Sequence, residues 1–107
     1  MESRIVIVAY KPKPGKENEL KTLALEHHYS NLKKEGLVTD RTPVLMQAKD
    51  GTIVEVFEWK SAAAIQQAHT NKAVLQMWQQ YSEVCDYIPI GEVEESANLF
   101  SEFSPLV

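Results

Sequence analysis

Three histidines are the residues of this 107-residue chain best suited to acid or base chemistry. The imidazole of His69 titrates near neutrality, so it can act as a base or orient a substrate. The alternative for a single histidine is a buried ring tied to a backbone carbonyl or a carboxylate. His27 and His28 are adjacent and point about 100° apart on a helix, so only one of them can face the same cavity as His69. The sequence does not decide which, and we take His28 as the candidate substrate contact.

Aromatic and acidic side chains form a second group of candidates. Trp59 and Trp78 would stack on a flat aromatic ligand if they line a pocket, and otherwise belong to the core or to an interface. Tyr81 can supply a hydroxyl group to a cavity. Glu55 shares one side of a predicted strand with Phe57 and Trp59, where a carboxylate is costly unless it is paired or protonated. We therefore treat Glu55 as a substrate-binding candidate, and an edge strand that exposes it to water as the alternative.

Composition excludes several other classes of function. The chain has 15 acidic and 11 basic residues, a balance that argues against a nucleic-acid partner. No histidine or carboxylate pair has the spacing of a helical metal site, so neither a metal nor another cofactor is expected. No apolar run approaches the ~18 residues of a membrane span. The single cysteine, Cys85, suits a reducing compartment. We expect a cytoplasmic protein that folds as one domain over residues 1–107.

The order of predicted elements suggests how these side chains are positioned. An apolar, β-branched strand is followed by a Pro and Gly break, an amphipathic helix, two strands joined by an Asp50-Gly51 turn, a second helix capped by Ser61, and a further strand. We expect a break in the second helix near Asn71. The predicted strands are 4–10, 42–48, 52–59 and 87–93, the helices are 16–35 and 61–86, and the tail from residue 94 holds a short helical turn and an extra strand, 99–103.

This order is that of the ferredoxin-like split βαβ arrangement, an α+β fold with a four-stranded antiparallel sheet and two helices on one face. Two helices cannot cover both faces of a sheet. The first and third strands are nevertheless apolar on both sides, so an uncovered apolar face is expected. We predict that this face meets a second copy in a two-fold homodimer, with the tail segment 99–103 able to cross to the partner.

The stretch Phe57-Glu58-Trp59-Lys60-Ser61 is followed by an alanine-rich turn, by His69 and by Trp78. This pattern resembles the antibiotic-biosynthesis-monooxygenase-like branch of the dimeric α/β-barrel superfamily. The resemblance covers the chain from the first strand through Pro89. It implies a dimeric α/β barrel. Members of the superfamily include cofactor-independent oxygenases acting on polycyclic phenols, haem-degrading monooxygenases, isomerases and proteins of no assigned activity.

Comparison with those branches narrows the expectation. Haem-degrading enzymes carry an asparagine on the first strand, but residues 6–8 here are all apolar, so haem chemistry is not expected. The phenol oxygenases use tryptophan, asparagine, tyrosine and arginine side chains around a substrate pocket. In this chain, Trp59 and Tyr81 correspond to the tryptophan and the tyrosine. The resemblance implies a cofactor-independent monooxygenase-like enzyme acting on a hydrophobic or aromatic small molecule, with His69 as base and Trp78 as a wall. The alternative is a non-catalytic small-molecule-binding or structural homodimer of the same fold.

Overall fold

A computed structural model describes residues 2–106 of the chain and shows an α+β fold built on one antiparallel sheet of five strands. The order across the sheet is β4-β1-β3-β2-β5, so the two long strands, β1 and β3, are neighbours in its interior. The strands are β1 (Arg4–Pro12), β2 (Val44–Gln47), β3 (Ile53–Trp59), β4 (Cys85–Ile88) and β5 (Ser104–Pro105). The first four have the order of the ferredoxin-like arrangement that the sequence predicts.

Three helices pack on one face of this sheet. The first is continuous over 17–34 and has three parts: α1 (Glu17–Thr22), a π-helical stretch (Leu23–His28) and α2 (Tyr29–Lys34). It ends where Gly36 adopts a left-handed φ of 75°, a conformation that glycine adopts without a steric cost. The other two are α3 (Ala62–Ala68) and α4 (Lys72–Val84).

The predicted break between α3 and α4 is present and has a local cause. The Ser61 side chain accepts a hydrogen bond from the Ala64 amide at 3.1 Å and so begins α3. The Asn71 side chain accepts one from the Val74 amide at 3.1 Å and begins α4. Because Asn71 itself has an extended backbone, the chain changes direction there and the two segments are separate helices.

The π-helical stretch keeps one side of the first helix on the sheet. Its buried side chains recur every four residues, at Leu20, Ala24, His28 and Leu32. Four residues overshoot an α-helical turn of about 3.6 residues, so this side would rotate away from the sheet along a regular helix. A π-helical turn contains more residues and corrects the drift. His28 therefore faces the sheet, whereas His27 is exposed.

The opposite face of the sheet is covered over only half of its length. Two short 3-10 turns, Ile90–Glu92 and Glu94–Ala97, lay the tail across Ala9 and Val54, and Val93 is buried there. The other half remains bare, with Ile5 57%, Ile7 51% and Val44 52% exposed. The expectation of an uncovered apolar face therefore holds for half of it, because the chain's own tail covers the rest.

The predicted number of elements was too low. The sheet has five strands where four were predicted, and the structure has three helices where two were predicted. β4 ends at Ile88, because the chain turns at Pro89 into the first 3-10 segment instead of continuing as a strand to residue 93. The tail strand is Ser104–Pro105, paired with β2, and not 99–103. Within residues 2–106 no helix combines the length and apolar character needed to cross a lipid bilayer.

Candidate functional site

An apolar cavity of about 340 Å³ lies between the sheet and the helices. β1 contributes Val6, Val8 and Tyr10 to its wall, and β3 contributes Phe57 and Trp59. These positions alternate along their strands, so each strand presents every second side chain to the cavity. The volume falls within the range of small-molecule sites, about 300–1,000 Å³.

The remaining wall comes from the helices and the edge strand. His28 projects from the π-helical stretch, Ile65 from α3 and Trp78 from α4, and Tyr87 stands on β4. Trp78 is partly exposed, and Tyr87 is half exposed. The wall is therefore aromatic and aliphatic, and His28 is its one imidazole.

A buried carboxylate lies directly behind this wall. The Tyr10 hydroxyl donates a hydrogen bond to Glu55 Oε1 at 2.8 Å, and His28 Nδ1 lies 2.9 Å from the same oxygen. Nδ1 is not aligned as a linear hydrogen-bond donor, so its contact with Glu55 is mainly electrostatic. Burial and then the Glu55 charge raise the pKa of Tyr10 well above its ordinary value, so this hydroxyl remains a donor.

The Glu55 carboxylate is only half satisfied. Its second oxygen, Oε2, is buried and has no hydrogen-bond partner among residues 2–106. The same holds for the Tyr81 hydroxyl, whose ring lies 5.3 Å from the ring of His28. Burial and then the charge of Glu55 raise the pKa of Tyr81 as well. Such groups carry a desolvation cost, and in native proteins they mark places where function competes with stability.

The tautomer of His28 follows from its neighbours. The indole Nε1 of Trp78 lies 3.5 Å from His28 Nε2, and an indole nitrogen can only donate. This contact requires an imidazole tautomer with its lone pair on Nε2, in which the Nδ1 proton is on the side of Glu55. His28 thus lies between a buried carboxylate and the cavity wall, with Nε2 facing the Trp78 indole, and an imidazole in this position is a candidate base.

His69 is placed differently from the sequence interpretation. It is exposed at the end of α3, outside the cavity lining, because the helix breaks just after it. Its Nδ1 lies 2.8 Å from the carbonyl oxygen of Ile65, and its ring packs 5.3 Å from the ring of Trp78. The histidine that meets the cavity is His28.

The other predicted site residues gather around the cavity. Trp59 and Trp78 line it, and Glu55 lies behind it beside His28. Tyr81 is buried next to Tyr10, with ring centroids 4.9 Å apart, but it does not form part of the lining.

Sequence reasoning missed the convergence of Tyr10, His28 and Glu55. Alternation along β3 placed Glu55 on the correct face. The signal for His28 was the strict four-residue spacing of Leu20, Ala24 and Leu32, which continues through residue 28 and not through 27. The approach of Tyr10 and His28 to the carboxylate depends on strand register and helix docking, which no local pattern encodes.

Two other possibilities for chemistry are not supported by the geometry. Within residues 2–106, no three histidine, cysteine, aspartate or glutamate side chains converge as metal ligands. Cys85 is buried, and its pKa is raised to about 11, first by burial and then by the charge of Asp86. A thiol in that environment is a poor nucleophile, and Cys85 packs in the core.

Two solved structures are similar in fold. The structure of Rv0793 from Mycobacterium tuberculosis shares 20% sequence identity, covers 81% of this chain and 89% of its own, and superposes with a TM-score of 0.65. The structure of PA3566 from Pseudomonas aeruginosa shares 15% identity, covers 82% of this chain and 94% of its own, and has a TM-score of 0.52. No protein-family profile and no curated protein sequence matches the chain. The likeness establishes a small α+β fold shared with these two proteins.

Proposed function

We propose that the protein is a cofactor-independent monooxygenase-like enzyme of the antibiotic-biosynthesis-monooxygenase-like branch, acting on a flat aromatic molecule with an acidic hydroxyl. The observation that carries the proposal is the contact of His28 with the buried Glu55 behind an aromatic-lined cavity. The aromatic walls bind the ring system. His28 Nε2 accepts the proton, and Glu55 stabilises the imidazolium that results.

A phenolic substrate makes the chemistry specific. Loss of the hydroxyl proton to His28 leaves an electron-rich phenolate that reacts with O2. One oxygen atom of O2 becomes the new carbonyl on the ring, and the other leaves as water with the two hydrogens that the substrate loses. Oxidation of 1,5-dihydroxynaphthalene in this way yields juglone, 5-hydroxy-1,4-naphthoquinone. One ring C–H and one phenol become the two carbonyls of the quinone, one water is released, and atoms and electrons balance. The apolar cavity keeps bulk water away from the anion.

The test is formation of juglone and consumption of O2 by the purified protein. His28→Gln should lower the rate by about 10² to 10⁴, the usual contribution of a general base. His69→Ala is the matched control, because that histidine is exposed and outside the cavity, and its rate should stay within about twofold. Loss of activity in His69→Ala with retention in His28→Gln would reverse the assignment of the base, and the absence of turnover in the wild type would remove the enzymatic proposal.

Non-catalytic binding of a small aromatic molecule is the second candidate. It is favoured by one feature: the surface that faces the cavity is almost wholly apolar and offers little polar contact to a reacting group. A binder would take up polycyclic phenols and return them unchanged in the presence of O2. Binding without turnover would select this function.

We also propose that the bare half of the second sheet face binds a second copy of the chain. Ile5, Ile7 and Val44 are exposed together there, and Leu99 and Phe100 of the tail are 93% and 78% exposed. A soluble protein rarely leaves such a patch uncovered. Sedimentation equilibrium at micromolar concentration should give a dimer, and Ile7→Lys should give a monomer. A wild-type monomer under these conditions would contradict the proposal.

A further inference from the structure

We propose that the indole N–H of Trp78 is the donor that stabilises the ligand oxygen when His28 removes its proton. The proposal rests on the proposed function and extends it by assigning the oxyanion contact. A proton abstraction in an apolar cavity needs such a donor, because an uncompensated anion there is costly. Trp78 and His28 are both in the lining, with the indole N–H directed at the imidazole lone pair.

The length of that contact is the first argument. At 3.5 Å, the separation of Trp78 Nε1 and His28 Nε2 lies well beyond the usual 2.9–3.0 Å of such hydrogen bonds, so it is weak. The contact pairs one donor, Trp78 Nε1, with one acceptor, His28 Nε2, and a bound hydroxyl group can form a better hydrogen bond with each of them. A hydroxyl has one O–H to donate to Nε2 and lone pairs to accept from Nε1. The pair therefore selects a group that donates and accepts at the same atom.

The different anchoring of the two rings is the second argument. His28 is buried and lies against Glu55, with the rings of Phe57 and Tyr81 each within 5.4 Å of its own. Trp78 is partly exposed on α4, and the His69 ring that packs against it is exposed as well. An outward shift of the indole therefore displaces no buried side chain on that side, and a ligand oxygen can enter beside His28.

The proton step is balanced within this geometry. The O–H bond of the ligand breaks, its proton forms the N–H bond at His28 Nε2, and the electron pair remains on oxygen. The indole N–H of Trp78 then faces an anion, and hydrogen bonds to charged acceptors are about twice as strong as neutral ones. The contact is thus stronger after proton transfer than before it, as transition-state stabilisation requires.

The test compares two probes and two variants. α-Naphthol has the hydroxyl, and naphthalene has the same ring system without it. Only Trp59 and Trp78 carry indoles in this chain, so NMR titration of ¹⁵N-labelled protein follows two indole N–H signals that both report on the cavity. Trp78→Phe removes the donor and keeps an aromatic wall. Trp59→Phe is the matched control, because it alters the same cavity away from Nε2 of His28.

We expect the wild type to prefer α-naphthol over naphthalene by about tenfold, and Trp78→Phe to lose most of that preference while binding naphthalene within about threefold of wild type. Trp59→Phe should weaken both probes equally. The pKa of bound α-naphthol, followed by its absorbance, should rise by about one unit in Trp78→Phe.

The outcomes separate the two proposals. If the wild type binds both probes equally, or if Trp78→Phe and Trp59→Phe weaken both probes alike, Trp78 is only a wall and the inference fails while aromatic binding stands. If the wild type binds neither probe, the proposed function fails and takes the inference with it. Thermal unfolding of each variant shows that it is folded before it is titrated.

Discussion

Two glutamates on β3 sit three residues apart and have opposite environments. Glu58 faces the partly bare side of the sheet, and both of its oxygens are satisfied: Ser3 donates at 2.7 Å to Oε2, while Thr39 at 2.7 Å and Arg41 at 3.1 Å donate to Oε1. Glu55 faces the helices, is fully buried, and has one oxygen without a partner among residues 2–106.

The difference distinguishes a carboxylate with a structural role from a candidate for a chemical one. Donors from the N-terminal segment and from the loop before β2 converge on Glu58, and they tie those segments to the sheet. Glu55 accepts a hydrogen bond from a tyrosine whose hydroxyl stays protonated, and its other close neighbour is a histidine in the cavity wall that is not aligned as a donor. Burial of a polar atom without a hydrogen-bond partner is costly, and here it falls on a carboxylate that lies beside a candidate base.

Substituting each glutamate by glutamine should separate the two roles most strongly. In Glu55→Gln, the imidazolium formed at His28 loses its counter-charge, and we expect juglone formation to fall by about 10². In Glu58→Gln, the rate should stay within about twofold, because this residue faces the other side of the sheet. Equal losses in the two variants would mean that the fall reflects general damage to the fold and not the role of Glu55.

The placement of the two glutamates on opposite faces of the sheet can be predicted from the sequence, but the contact of Glu55 with His28 cannot. Alternation of apolar residues along β3 places Glu55 and Glu58 on opposite faces, the Ser61 cap predicts where α3 begins, and Asn71 predicts a break in the second helix. These are local rules. The contact of Glu55 with His28 joins residues 27 positions apart. It also requires the π-helical stretch, and an apolar pattern with a period of 3.6 residues does not predict the wider turn of a π-helix.

The position of the tail strand on the other side of the sheet could not be predicted from the sequence either. Apolar residues at 99–103 favoured a strand, but Leu99 and Phe100 are exposed and the strand forms at Ser104–Pro105. Its position depends on the 3-10 turns that precede it and on the Glu95 carboxylate, which accepts a hydrogen bond from the Lys49 amide at 2.8 Å. That contact joins the tail to the loop between β2 and β3, and it has no sequence signature.

The next largest effect is expected on stability, when the Tyr10 hydroxyl that donates to Glu55 is removed. In Tyr10→Phe, the buried carboxylate loses its 2.8 Å hydrogen bond, and we expect the free energy of unfolding to fall by about 1.5–3 kcal/mol. The control is Tyr87→Phe, whose ring is half exposed, with an expected loss below about 0.5 kcal/mol. Urea unfolding of both variants measures the difference. Equal stabilities would show that the Tyr10 hydroxyl does not support Glu55.

The two halves of the second face can be compared by shortening one side chain in each. Val54 is fully buried beneath the tail, so Val54→Ala should cost about 2 kcal/mol of unfolding free energy. Ile7→Ala, on the bare half, should cost less than about 0.5 kcal/mol when measured at a concentration too low for association. A larger loss for Ile7→Ala at higher protein concentration would show that the bare half is covered by a partner. A loss independent of concentration would show that it is not.

The smallest expected effect is the acid response of Glu58. Hydrogen bonds from Ser3, Thr39 and Arg41 lower its pKa from 4.5 to about 2. Because the pKa is lower in the folded state, the stabilisation is fully present above about pH 4.5 and is lost as the pH falls towards 2. Glu58→Gln has no carboxyl group at position 58, so its stability should decline less steeply than that of the wild type across this window.

Asp50, whose pKa is also lowered, is present in both the wild type and the variant. The difference between the urea-unfolding curves of these two proteins therefore reports on Glu58. Parallel pH profiles would mean that the three donors do not favour the charged form of Glu58 in the folded chain. Hydrogen bonding would then no longer distinguish Glu58 from Glu55.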